Sequence, residues 1–236
     1  MPLLESIGYA LVGGILPPLV WLYFMNKEDS RCPEPRWLVG LAFITGMIAV
    51  PIVLPLESYA IQKLGEGTLG TIIAWATIEE TVKYGLAALV ILWRKQVNES
   101  LDLVIYMLTV ALGFAALENT LFLIQPFSQG QFLAGIATDN LRFIGSTLLH
   151  AIASATIGFA LAFSYTWSPR ARAITASIGL ILAIALHALF NFFIINASGS
   201  ATLLSFFVVW TGTVVFLAVF EVLKFIQYQN APRNVC

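Results

Sequence analysis

Charge is what this sequence has least of: 11% of its 236 residues are Asp, Glu, Lys or Arg, where an ordinary soluble domain carries roughly a quarter. With 59% apolar residues and a mean hydropathy of +0.87, a water-soluble globule is excluded. A basic surplus is missing too. Twelve Lys and Arg against 13 Asp and Glu leave a formal charge of −1, so there is no cationic surface to neutralise phosphates and nucleic acid is not an expected partner. Cysteine is scarce: Cys32 and Cys236 are too few for a disulfide framework or a Cys-based zinc cluster, and redox chemistry drops out with them. Repeats and low-complexity tracts are also lacking, which leaves one domain over residues 1–236 with no second module.

What is present is lipid-soluble chain. Apolar runs of the roughly 20 residues needed to cross a bilayer lie at about 7–25, 37–56, 69–93, 103–125, 143–166, 173–195 and 201–223. The expected fold is all-α: a polytopic membrane protein with about seven transmembrane helices. The first run has no basic stretch before it and no small-residue cleavage site, so it reads as a retained span. Cytoplasmic loops keep Lys and Arg. Alternate connections hold nine of them on one side and only Lys63 and Arg142 on the other, which places the N-terminus outside, the C-terminus in the cytoplasm, and the protein in the cell membrane as a multi-pass chain.

Ionisable residues deep in a span are costly and by default functional candidates. The third run contains Glu79, Glu80 and Lys83, and on a helix the lysine can reach either carboxylate. Glu118 and Asn119 lie in the fourth run, His150 and Ser154 in the fifth, and His187 and Asn191 in the sixth. Helix rise puts Glu79, Glu118, His150 and His187 in one layer, roughly 10 to 15 Å below the outer face. Small residues at spacing four mark close-packing faces. His150 shares such a row with Ser154, Gly158 and Ala162, and His187 with Gly179, Ala183 and Asn191, so both imidazoles should point into the bundle.

A desolvated carboxylate beside a second one is a stronger base for activating water. His187 and Asn191, one turn apart, are candidates for stabilising a carbonyl oxyanion. This set suits peptide hydrolysis. Glu and His also bind zinc and non-haem iron, and a site assembled from several helices stays open although HExxH is absent. No metal or cofactor is required by the base mechanism. Nucleophilic serine catalysis has no GxSxG to support it.

Taken in order, Glu79-Glu80-x-x-Lys83, Phe114-x-x-x-Glu118-Asn119, His150-x-x-x-Ser154 and His187-x-x-x-Asn191 resemble the PrsW family of glutamic intramembrane proteases, relatives of the type II CAAX prenyl endopeptidases. The resemblance covers about residues 69–195. It implies a water-activating base at Glu79 or Glu80, with the first implied by the CAAX relatives, and histidines that orient water or stabilise the oxyanion. Where those relatives carry Arg and His, this chain has Tyr84 and Glu118, so prenylated substrates are not implied. The implied partners are the bilayer and single-pass membrane protein substrates, such as anti-sigma factors cut near their outer end. The alternative is a non-catalytic membrane scaffold, as in the related gamma-secretase subunit, or a small-solute carrier, against which the absence of an inverted repeat argues.

Overall fold

Each apolar run folds as a helix, and most extend beyond the run. The computed structural model describes residues 3–28, 32–133, 135–136, 142–196 and 200–230, and every regular element among them is helical. We number them α1 (Leu3–Glu28), α2 (Arg36–Leu64), α3 (Leu69–Ala87), α4 (Ser100–Ser128), α5 (Leu148–Phe163), α6 (Pro169–Asn196) and α7 (Ser200–Asn230). Two π-helical segments adjoin them, Ala88–Leu92 after α3 and Arg142–Thr147 before α5. Six of the seven helices are long and apolar enough to cross a membrane; α3 is not among them. Its three central charges lower its hydropathy, and it is shielded by α2 and α6, against which it packs. Arg31 and Arg233, used in the loop count, lie outside the described residues.

The centre of the bundle is α4. All residues from Leu101 to Ala116 are buried, as expected of a helix that is apolar all round. Around it pack α1, α2 and α5, with α6 against α5. The outer helices expose their large apolar residues, for example Ile174, Ile178 and Ile181 on α6, and lipid is the solvent for those faces.

Glycine allows the closest crossings. A Cβ on Gly46 of α2 would stand 1.9 Å from the Val110 carbonyl oxygen, and one on Gly113 of α4 would stand 1.9 Å from that of Phe43. The two backbones therefore touch, which fixes the height of α2 against α4. Gly158 does the same for α5 against Val104 of α4, and Gly179 for α6 against Ile157 and Ala160 of α5. These contacts hold four histidine- or glutamate-bearing helices, α2, α4, α5 and α6, in fixed register.

Candidate active site

A tight turn aims α3. Gly65 and Gly67 have φ of +86° and +70°, values that favour glycine, and the Thr68 side chain caps the helix by accepting from the Thr71 amide at 3.2 Å. From this start Glu79, Glu80 and Lys83 turn inward, at 4%, 0% and 0% exposure.

Adjacent glutamates lie about 100° apart around a helix, so their surroundings differ. The Lys83 ammonium donates to Glu80 Oε1 at 2.5 Å and stands 4.0 Å from Glu79 Oε2. Glu80 also receives His187 Nδ1 on Oε1 at 2.8 Å and the Ser154 hydroxyl on Oε2 at 2.9 Å. It therefore ties α3, α5 and α6 together. Glu79 keeps an oxygen, Oε2, with no hydrogen-bond partner. Its Oε1 faces His187 Nε2 at 3.8 Å, and its Oε2 faces His150 Nδ1 at 3.7 Å.

The two imidazoles have their ring centres 5.0 Å apart. Lys83 Nζ lies 3.1 Å from His150 Nδ1; an ammonium has only protons to offer, so Nδ1 accepts and Nε2–H donates to Glu118 Oε2 at 3.0 Å. By the same reasoning His187 donates from Nδ1 to Glu80, and its Nε2 lone pair is turned toward Glu79. Phe114 closes the floor, with Lys83 4.6 Å from its ring centre.

Above these groups opens a cavity of about 740 Å³, lined by Glu79, Glu118, His150, His187 and Asn191 among others. Of the candidates, Glu79, Glu80, Glu118, His150, His187, Lys83 and Ser154 form one connected cluster, and Asn191 faces the same cavity. Asn119 is placed differently. It is buried and its amide donates to Thr147 at 2.9 Å, joining α4 to the segment before α5, and it does not line the cavity.

One residue escaped the sequence reading. Glu57 was expected in a connection spanning 57–68, but α2 continues to Leu64. That carries Glu57 to the wall of the cavity that Glu79 also lines. The signal was there: Val50, Val53, Leu54 and Glu57 follow helical spacing and all line the cavity.

Glu79, His150 and His187 are also grouped closely enough to hold a metal ion. Each offers one donor atom, and the three atoms lie within 4.8 Å of one another. The unpartnered buried Glu79 oxygen and the carboxylate holding His187 by its other nitrogen are features of His₂Glu metal sites. The donor set fits a divalent ion if Lys83 keeps its bond to Glu80 and gives up its contact with His150.

Residues 34–221 match the profile of the PrsW family intramembrane metalloproteases. The relatives it resembles include the "Protease PrsW" proteins of Oceanobacillus iheyensis, 27% identical over 84% of this chain and 89% of that one, and of Clostridioides difficile, 26% identical over 75% and 76%. The Bacillus subtilis "Protease PrsW" is 24% identical over 76% of this chain and 79% of its own length. No solved structure matches the chain.

Proposed function

The chain belongs to the PrsW family of intramembrane proteases, and from that premise we propose that it cuts membrane-spanning proteins with a water activated by Glu79. The observation that carries this reading is the division of labour between the two glutamates. Glu80 is held by three donors, whereas Glu79 lines the cavity and its Oε2 accepts no hydrogen bond. A base must have a lone pair to spare.

A water donating one hydrogen to Glu79 and the other to the His187 Nε2 lone pair presents its oxygen to a peptide carbonyl in the cavity. Its proton passes to Glu79 as the C–O bond forms. Asn191 is available to stabilise the oxyanion through its amide. Collapse breaks the C–N bond, and the amine leaves with a proton returned from Glu79. His187 thus serves to orient water, since Glu80 holds its N–H on the far side. His150, pinned between Lys83 and Glu118, positions the floor of the site.

The second reading is favoured by the Glu79, His150 and His187 donor set. A divalent ion held there supplies Lewis acidity and an activated water. Against it stands Lys83, whose ammonium already places a positive charge 3.1 Å from one of the would-be ligands. The substrates are single-pass membrane proteins of the anti-sigma-factor kind, cut toward the outer face of the cell membrane.

The test is cleavage of a single-pass substrate by purified protein in lipid, with Glu79→Gln beside wild type. Glutamine keeps shape and cannot take the proton, so a fall of at least about 100-fold is expected, with wild-type activity surviving chelator. Equal cleavage by the variant would overturn the base. Stoichiometric metal whose removal stops wild-type cleavage would replace this mechanism with the metal reading.

A further inference from the structure

The cavity is lopsided in charge. Four carboxylates line it, those of Glu57, Glu66, Glu79 and Glu118, and among the described residues no Lys or Arg does. The nearest buried cation, Lys83, is committed at 2.5 Å to Glu80. Lys63, on the same end of α2, lies instead over the Tyr59 ring. Most of the remaining wall is apolar, including Val53, Leu54 and Phe122.

Glu57 is the best placed of the four to meet a substrate. Its backbone carbonyl accepts from the Trp75 indole N–H at 3.3 Å, which ties the end of α2 to α3. Glu57 and Trp75 both line the cavity, so a carboxylate and an indole stand together at its wall. That pair suits a long basic side chain: the carboxylate takes the charge, and the aromatic ring takes the alkyl stem or the cation face. Glu66 adds a third element at the exposed mouth. Glu57 and Glu79 line the same cavity, so whatever Glu57 holds lies close to the bond being cut.

We propose that Glu57, with Trp75 and Glu66, forms a specificity subsite for a Lys or Arg side chain close to the scissile bond. This rests on the protease reading above. The resulting substrate preference is for an apolar segment that ends in a basic residue at the membrane interface. Glu57 is here a specificity-determining residue, not the base.

The experiment uses the full chain in lipid nanodiscs and single-pass peptides in which one Arg is walked along the end of the transmembrane segment, each paired with its Gln counterpart. Cleavage and binding are measured side by side. At one or two positions the Arg peptide should be preferred by about tenfold in kcat/KM or in affinity, a size typical of one desolvated charge pair. Glu57→Gln should bring that ratio to about one, whatever it does to the absolute rates. Glu57→Lys should favour a Glu peptide at the same position. No Arg preference in wild type overturns the subsite, as does a preference that persists in Glu57→Gln. If Glu57→Gln is inactive on every peptide, binding of the Arg and Gln peptides to it decides in the same way. Should wild type bind the Arg peptide selectively and cut nothing, the subsite stands and the protease reading falls.

Discussion

Neighbouring glutamates of one sequence motif end in opposite situations, and the difference is set by single hydrogen bonds. Glu80 gathers Lys83, His187 and Ser154, a buried ion pair whose loss is expensive because partners stay behind without a counter-charge. Replacing Lys83 with Met should cost about 3–5 kcal/mol of stability, visible as a lower unfolding temperature in detergent; an unchanged Tm would mean that the ammonium is not the cluster's counter-ion. His187 is different. On the proposed mechanism its Nε2 orients the attacking water and does not hold the substrate, so His187→Ala should lower kcat at least about tenfold with KM within about twofold. A raised KM at intact kcat would assign it to substrate positioning.

Among the helices, the α2–α4 crossing governs the site's geometry. Gly46 and Gly113 let backbones touch, and on α2 the cavity wall of Val50, Val53, Leu54 and Glu57 follows directly from that contact. A side chain at Gly113 would meet the Phe43 carbonyl, which cannot step aside as a flexible side chain can. Gly113→Leu should therefore destabilise the fold by roughly 1–3 kcal/mol or more and lower cleavage in parallel, whereas Gly40→Leu, with open space at its Cβ, should leave both near wild type. Similar losses from both glycines would show that the crossing is not responsible, since Leu is the better helix former at either position. The opposite end of α4 is tied separately: Asp102 accepts the Asn98 and Glu99 amides at 2.8 Å, and Gln227 of α7 bonds both Glu99 and Ser100.

For the whole molecule, function depends on which face of the membrane the cavity meets. The cavity lies toward the end of the bundle that holds the α2–α3 turn, since Glu66 and Gly67 line it, and the positive-inside count assigns that end to the outside. Cysteine at position 66, in a chain with Cys32 and Cys236 changed to serine, should label with an impermeant maleimide on intact cells. Cysteine at position 167, in the exposed α5–α6 turn, should label only after permeabilisation. The cut, located by mass spectrometry, should then fall near the outer end of the substrate span, where water satisfies the groups freed by unwinding. The reverse labelling pattern would invert the topology, and a dominant cut in the cytoplasmic half would disprove the assigned direction of access.

Helix number, chain order and the convergence of Glu79, Glu118, His150 and His187 were legible in the sequence, because helix rise turns position along the chain into height, although α3 is not among the six helices apolar enough to span. The facing of the two histidines was legible too, from small residues at spacing four. What only the tertiary structure decided lies around the helix axes and between helices. It gave Lys83 to Glu80 and left Glu79 open, turned Asn119 toward Thr147 and away from the cavity, and prolonged α2 so that Glu57 reached the site. Those outcomes depend on azimuth and lateral packing. A central helix that is apolar on every side, in a solvent as apolar as itself, carries no periodic signal from which either can be read.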